Sequence, residues 1–164
     1  MMENVSIHEI IEMAIRTEKL GFSYYSELAQ KFKKNDELHA LFNKLSENEV
    51  AHAARFTKLK ESLQQDQLEN WPEVSQYMKS YVESAFFMGA NKATPHMQNI
   101  QDPNAALGLA IAFEKETLLY FYGMADAVKQ DKDKHVLDEI IREEKSHIVI
   151  LSDLKEKLSR AAGR

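Results

Sequence analysis

Two short motifs in the chain place an imidazole three residues after a carboxylate. They are Glu49-x-x-His52 and Glu144-x-x-His147. A further glutamate precedes each motif at nearly the same separation, since Glu18 lies 31 residues before Glu49 and Glu114 lies 30 residues before Glu144. Residues i and i+3 share one face of a helix, so the Glu and His of one motif could bind the same metal ion.

One Glu-x-x-His motif would be weak support for a metal site. The similar pair Asp36-x-x-His39 stands at a predicted helix start, where Asp36 is better interpreted as an N-cap. Two motifs with matched preceding glutamates form a more specific pattern. The alternative is an ordinary bundle in which Lys or Arg neutralises buried acids, but no apolar stripe carries a basic residue in a suitable position.

The elements that position these residues are four amphipathic helices, each with apolar residues three or four apart. The fold class predicted is all-α, with one domain over residues 1–164. Hairpin 1 covers about residues 6–64 and hairpin 2 about 102–160, with turns at 33–36 and 129–134. The crossover, about 65–101, is predicted to carry a short helix over 74–88, because so long a structureless connection is uncommon in a compact domain.

Helix starts are marked by local signals. Ser6-x-x-Glu9 is a capping-box pattern, and Asp102-Pro103 combines an N-cap residue with proline at the first helical position. Each predicted apolar stripe is interrupted near its midpoint by a glutamate. These interruptions are Glu18, Glu49, Glu114 and Glu144.

The interruptions are predicted to meet in space. The first turn lies about 16 residues after Glu18 and about 15 before Glu49, so the two come level across an antiparallel hairpin. In the second hairpin, Glu114 and Glu144 come level in the same way. The two halves are also alike in sequence, since Ala14–Tyr25 resembles Ala110–Phe121 and Glu47–His52 resembles Arg142–His147, which indicates a two-fold repeat of helical hairpins.

Four carboxylates and two imidazoles in one buried layer require compensating positive charge. Desolvation and mutual repulsion would otherwise each cost several kcal/mol. Two divalent cations supply four positive charges and balance the four carboxylates. Carboxylate oxygens with one imidazole per metal suit iron or manganese, although zinc would also bind. The candidate metal ligands are Glu18, Glu49, His52, Glu114, Glu144 and His147.

Composition excludes several other classes of protein. The net charge is −5 with both signs interleaved, so a nucleic-acid partner is not expected. The longest apolar run, 107–113, is far shorter than the roughly 20 residues of a membrane span, and residues 1–10 do not resemble a signal peptide, so we expect a cytoplasmic protein without membrane contact. The chain has no cysteine, so thiolate chemistry is excluded.

For the remaining candidate residues, the sequence gives only weak support for a role in the site. Most of the tyrosines near the acids are expected to be core aromatics, but Tyr25 lies in the Glu18 stripe and could donate a hydrogen bond to the site. Glu83 and Glu116 stay open as extra ligands, with a solvated role favoured for Glu116. Expected on the surface or in a solvated role are His8, His96, His135, Glu47 and Glu143; expected in the core are Tyr24, Tyr120 and Tyr122.

The arrangement of Glu, about 30 residues, then Glu-x-x-His, repeated twice, resembles the ferritin-like di-iron carboxylate bundles. Within that superfamily the pattern is most similar to rubrerythrin and its short relatives, through Ala14-Ile-x-x-Glu18-Lys, the pair Tyr24-Tyr25 and the two Glu-x-x-His motifs. The resemblance covers all four helices. It implies a four-helix bundle with a di-iron centre that reacts with hydrogen peroxide or dioxygen, often in a homodimer or higher oligomer.

Rubrerythrin also carries a rubredoxin-type iron domain held by four cysteines, which this chain lacks. The resemblance therefore implies a simpler oxidoreductase that needs an external electron donor, with Glu49 and Glu144 bridging two irons and Glu18 and Glu114 as terminal ligands. Two alternatives stay open. One is ferroxidation with iron storage in a shell of many subunits, and the other is a non-catalytic, metal-stabilised interaction bundle.

Overall fold

Four long helices, packed as two hairpins, form the architecture. The structure is a computed structural model that describes residues 7–63, 100–128 and 131–163. The helices are α1 (Ile7–Lys31), α2 (Asp36–Ser62), α3 (Pro103–Ala127) and α4 (Asp131–Ala162). Helix α1 packs along α2 and helix α3 along α4, while the hairpins meet through α1 with α3 and α2 with α4. This confirms the predicted all-α bundle of two helical hairpins.

Two apolar clusters fill the bundle, one near each interhelical turn. The first-turn cluster lies toward the α1–α2 turn and includes Leu28, Leu38, Leu107 and Leu151. The second-turn cluster lies toward the α3–α4 turn; it includes Ile10, Phe56, Phe121, Met124 and Ile140.

The order in which each helix meets these clusters gives its direction. Helices α1 and α4 run from the second-turn cluster to the first-turn cluster, and α2 and α3 run the opposite way. Because α2 and α3 are parallel, α2 ends at one end of the bundle and α3 begins at the other. A short turn could not join them, which is why the sequence separates the hairpins so widely. The short helix predicted over 74–88 lies outside the described residues.

The helix starts agree only partly with the sequence signals. Asp102 caps α3, accepting a hydrogen bond from the Ala105 N–H at 2.9 Å, and Pro103 is the first helical residue, as predicted. The cap of α2 is Asn35 and not Asp36, because the Asn35 side chain accepts from the Leu38 N–H at 3.1 Å. Ser6 lies outside the described residues.

The second turn is shorter than predicted. Helix α4 already begins at Asp131, so residues 131–134 are helical. Asp131 and Asp133 stand in its first turn, where carboxylates interact favourably with the positive end of the helix dipole. None of the helices in the described ranges is both long enough and apolar enough to cross a bilayer.

Two aromatic residues of the helices are exposed, and one of them, Tyr122, was expected in the core. Phe22 is 43% exposed and Tyr122 is 41% exposed. On α1 the core face is taken by Gly21, Tyr24 and Tyr25, and on α3 Tyr122 follows the buried Phe121 by one position, about 100° around the helix. The interpretation of Tyr122 as a core residue was therefore wrong.

Candidate metal centre

Each helix contributes a carboxylate to one layer between the two apolar clusters. Glu18 comes from α1 and Glu114 from α3, while α2 and α4 each supply a Glu-x-x-His pair. The structure thus brings all six predicted residues together in the middle of the bundle. All of their side chains are buried, with at most 2% of each residue exposed: Glu18, Glu49, His52, Glu114, Glu144 and His147.

The six residues form two overlapping groups. Within each group one donor atom per residue can be chosen so that all lie within 4.8 Å of one another. Two carboxylates, Glu49 and Glu144, belong to both groups, and the other members belong to one each. The His52 group consists of Glu18, Glu49, His52 and Glu144; the His147 group consists of Glu49, Glu114, Glu144 and His147.

In both groups the Nδ1 atom of the imidazole faces carboxylate oxygens. His52 Nδ1 lies 2.7 Å from Glu144 Oε1 and 3.5 Å from Glu18 Oε2. His147 Nδ1 lies 3.0 Å from Glu144 Oε2 and 3.4 Å from Glu114 Oε1. Nδ1 is therefore the ring atom that would ligate a metal in each group.

The Nε2 atoms point away from the layer and meet partners that the sequence did not reveal. His52 Nε2 lies 2.8 Å from Glu143 Oε2, and His147 Nε2 lies 2.9 Å from the side-chain amide of Asn48. If Nε2 donates its hydrogen to such a partner, the Nδ1 lone pair is free for a metal. At His147 the atom that faces Nε2 is Asn48 Nδ2, so a metal at Nδ1 would require the opposite orientation of the amide, with Oδ1 facing the ring.

Glu143 was interpreted as a solvated residue, which is half correct, since its side chain is 47% exposed. Its carboxylate nevertheless contacts His52 and also accepts from Arg55 Nη1 at 2.7 Å. Asn48 was not predicted to contact the site. Asn48 and Glu143 each stand immediately before the glutamate of a Glu-x-x-His motif, which places both beside the layer but does not show which residue they contact.

Burial and mutual repulsion favour protonation of three of the acids. Burial raises the pKa values of Glu18 and Glu49 well above the ordinary value of 4.5, and neighbouring carboxylates raise both further. The same two causes raise the pKa of Glu114 to about 8. Three carboxylates in this layer therefore tend to hold protons when no cation is present.

Burial and the neighbouring carboxylates have opposite effects on the pKa of the two imidazoles. Burial would lower the pKa of both rings, but the facing carboxylates outweigh it and raise the pKa to about 9 for His52 and about 10 for His147. In turn, burial would raise the pKa of Glu144, but its short contacts with the two rings, which carry positive charge when protonated, hold the pKa below its ordinary value. Protons thus supply positive charge that a metal pair would otherwise provide.

Eight buried donor or acceptor atoms of these six residues have no oriented hydrogen bond among the described residues. Buried polar groups are normally satisfied, so such a concentration of donor and acceptor atoms suits a site that binds cations. The donor set therefore fits a metal pair. The atoms are Glu18 Oε1 and Oε2, Glu49 Oε1, His52 Nδ1, Glu114 Oε2, Glu144 Oε1 and Oε2, and His147 Nδ1.

One tyrosine contacts the layer directly. The Tyr25 hydroxyl donates a hydrogen bond to Glu114 Oε1, across the two hairpins. Tyr24 packs against Phe113, with ring centroids 5.5 Å apart, and the Tyr120 hydroxyl donates to the Ile10 carbonyl at 2.6 Å. Of these tyrosines, Tyr25 is therefore the one with a direct hydrogen bond to a candidate ligand.

The other acids and histidines of the described residues do not join the two groups. Glu47 is exposed and Glu116 is half-buried, and neither belongs to a potential metal cluster in the described part of the chain. His39 Nδ1 lies 2.7 Å from the Ala29 carbonyl oxygen, so it binds backbone. His8, expected on the surface, is half-buried and contacts the Leu63 carbonyl at 2.9 Å, whereas His135 is exposed. Glu83 and His96 lie outside the described residues.

Comparisons with known proteins agree with this geometry. A sequence model of the rubrerythrin family matches residues 9–155, a range that contains all six buried Glu and His residues. A crystal structure from Thermotoga maritima, described as that of a ferritin-like diiron-carboxylate protein, is similar at a TM-score of 0.72 and 25% identity, covering 95% of this chain and 98% of that chain. Comparison with curated protein sequences gave no match. The chain therefore belongs to the rubrerythrin family.

Proposed function

We propose that the protein is a non-haem di-iron oxidoreductase that reduces hydrogen peroxide or dioxygen with electrons from an external donor. The observation that carries this proposal is the pair of four-residue groups sharing Glu49 and Glu144. In the proposal each group holds one iron, the shared carboxylates bridge the two, and Glu18 and Glu114 are terminal ligands. His52 and His147 supply one nitrogen each.

Charge and donor type support iron as the metal. Four carboxylates balance two divalent cations, and oxygen-rich sites with one imidazole per metal suit iron or manganese. Zinc would also be bound by these residues. The diiron-carboxylate description of the Thermotoga maritima structure supports iron over the other two.

The side chains would act by positioning the metals and excluding water. A pair of ferrous ions held by these residues would supply the two electrons that, with two protons, reduce hydrogen peroxide to two waters. The layer is nearly inaccessible to solvent, which limits side reactions with water and strengthens local electrostatics. Glu143 and Asn48 lie against the Nε2 atoms of the two imidazoles and would keep Nδ1 facing the layer.

Electrons for repeated turnover would come from a separate protein. The 164 residues contain no cysteine that could hold an electron-donating iron of the rubredoxin type. An external donor therefore belongs to the proposal. We also propose a homodimer or a higher oligomer, which native mass measurement tests; a shell-sized particle would instead favour iron storage.

The decisive experiment mixes anaerobic, ferrous-loaded protein with peroxide or with dioxygen in a stopped-flow spectrometer. We expect oxidation faster than that of free ferrous ions, with two irons oxidised per peroxide. Glu144→Ala should lose the reaction because it removes a shared ligand. Oxidation no faster than that of free iron, in protein shown to contain two irons, would leave only a metal-stabilised bundle.

A further inference from the structure

The two halves of the metal centre have different surroundings, although the hairpins that build them are repeats. Position 48 of the first hairpin corresponds to position 143 of the second, because each precedes the glutamate of its motif. The residues are Asn48 and Glu143. In the same way Tyr25 corresponds to Phe121. A neutral amide thus corresponds to a carboxylate, and a hydroxyl-bearing ring to one without a hydroxyl.

The His52 group carries the more electron-rich surroundings. The Glu143 carboxylate lies 2.8 Å from His52 Nε2 through Oε2. Arg55 binds the other oxygen, Oε1, at 2.7 Å, and its second nitrogen lies 3.4 Å from Glu139. The guanidinium charge is therefore shared between two carboxylates, and the Glu143 oxygen that faces His52 makes no second hydrogen bond with the residues that the structure describes. A carboxylate that accepts from a metal-bound imidazole makes that ring a stronger ligand.

Glu18, the terminal carboxylate of the same group, receives no hydroxyl hydrogen of the kind that Glu114 receives from Tyr25. Neither of its oxygens accepts an oriented hydrogen bond from the residues that the structure describes. The residue equivalent to Tyr25 in the other hairpin is Phe121, which has no hydroxyl to donate. Both oxygens of Glu18 are thus available to a cation.

The His147 group carries the weaker donors. The partner of His147 Nε2 is the uncharged amide of Asn48, at 2.9 Å. Its terminal carboxylate, Glu114, receives the hydroxyl hydrogen of Tyr25, which withdraws electron density from Oε1. Both differences act in the same direction, because each reduces the negative charge that the His147 group offers to a metal.

We propose that the two metal positions are unequal, and that the His52 group binds the first divalent cation more tightly than the His147 group. The inference rests on the metal binding in the proposed function, and assigns Glu143 and Asn48 as the positioning residues that set the order. Loss of such a partner typically changes metal affinity by about 10- to 100-fold, so we expect the two dissociation constants to differ by about that factor.

The direct test is anomalous diffraction from crystals of the full chain grown with one equivalent of Mn²⁺ per chain. The anomalous peak beside His52 should be several times stronger than the peak beside His147. Equal peaks, or a stronger peak beside His147, would overturn the inference while leaving the di-metal site intact. Absence of manganese from both groups at excess metal would overturn the inference and the proposed site together.

Three substitutions test the cause by Mn²⁺ titration calorimetry in solution. Glu143→Gln keeps an acceptor oxygen but removes the charge, and should bring the two dissociation constants to within a few-fold of each other. Asn48→Asp should tighten the weaker step by about 10-fold or more. Glu47→Gln is the control, because it also removes one negative charge close to a Glu-x-x-His motif, but Glu47 is exposed and belongs to neither metal group; it should leave both steps unchanged. An unaltered ratio in Glu143→Gln would contradict the assignment.

Discussion

The carboxylate of Glu49 lies against the backbone of Gly21, so closely that a Cβ atom at position 21 would come within 2.7 Å of Glu49 Oε2. Gly21 stands three residues after Glu18, on the same face of α1. The absence of a side chain there lets a shared ligand of the proposed metal pair approach the neighbouring helix.

Gly21→Ala should therefore displace Glu49 and weaken metal binding. Alanine favours a helix over glycine by up to about 1 kcal/mol, so a Gly→Ala substitution with open space around the new Cβ should stabilise the protein. Gly108→Ala is the matched control, because its Cβ would meet nothing closer than Lys155 Nζ at 3.5 Å. We expect the control to be neutral or stabilising with normal metal content, and Gly21→Ala to lose metal. Normal metal content in Gly21→Ala would contradict the positioning of Glu49 as a shared ligand.

Glu18→Met should stabilise the metal-free protein. Glu18 is fully buried, and neither of its oxygens accepts an oriented hydrogen bond from a described residue. Burial and the neighbouring carboxylates disfavour the charged form of this acid, so replacing it by an apolar side chain of similar length should raise the free energy of unfolding by about 1 to 3 kcal/mol. The same variant should lose much of the stabilisation that added metal gives the wild type.

Chemical denaturation with and without metal measures both effects. Glu47→Met is the control, since Glu47 is exposed on α2 and its replacement should change stability by less than about 0.5 kcal/mol. A metal-free Glu18→Met protein less stable than the wild type would show that Glu18 is a structural residue of the bundle instead.

Tyr25→Phe should change both stability and metal affinity, whereas Tyr120→Phe should change stability alone. Each variant removes one buried hydroxyl, but Tyr25 donates to the candidate ligand Glu114 and Tyr120 donates to the Ile10 carbonyl. We expect each to cost about 1 to 2 kcal/mol of metal-free stability. Tyr25→Phe should also tighten binding in the His147 group by a few-fold, measured by titration calorimetry. Equal affinities in the two variants would contradict an influence of Tyr25 on the site.

The stability of the metal-free protein should fall as pH rises from 5.5 to 8.5. Burial raises the pKa of Glu18 and Glu49 above 4.5 and that of Glu114 to about 8, so these acids hold protons in the folded state that the unfolded chain has lost. Contacts with carboxylates raise the pKa of His52 to about 9 and that of His147 to about 10, so their stabilising contribution is complete below the unfolded value of 6.5 and is lost as pH rises through 9 to 10.

The folded state therefore binds more protons than the unfolded state over this range, and the free energy of unfolding decreases with pH. Glu144 acts in the opposite sense, since its pKa is lowered, but its contribution is already present above 4.5 and is lost only in acid. Thermal unfolding in a chelator at the two pH values measures the effect. Saturating Mn²⁺ should stabilise the protein more at pH 8.5 than at 5.5, because the metal displaces these protons. A melting temperature that rises with pH in the chelator would contradict the account.

The sequence was sufficient to predict the four helices and the six residues of the layer. Each interruption of an apolar stripe by Glu was visible from helical periodicity alone, and the matched separations across two turns showed that the interruptions come level. Long, strongly periodic helices make such arguments robust, because small errors at helix ends do not move residues from one face to another.

The contacts of Asn48 and Glu143 could not be predicted in this way. Each lies one position before a stripe residue, about 100° around its helix, so its partner depends on how closely the two hairpins approach. The start of α2 was also hard to predict, because two adjacent residues can each act as the N-cap. Asn35 and Asp36 are both good N-caps, and only Asn35 has the extended backbone, with φ of −109° and ψ of 101°.

Metal stoichiometry tests the central claim most directly. Protein purified without oxygen, loaded with ferrous iron and freed of excess metal, should contain two irons per chain by elemental analysis. Glu49→Ala and Glu144→Ala should each lose most of both irons, since each removes a ligand common to the two groups. Iron-free wild-type protein after loading, or full loading in both variants, would contradict a metal pair held by these residues.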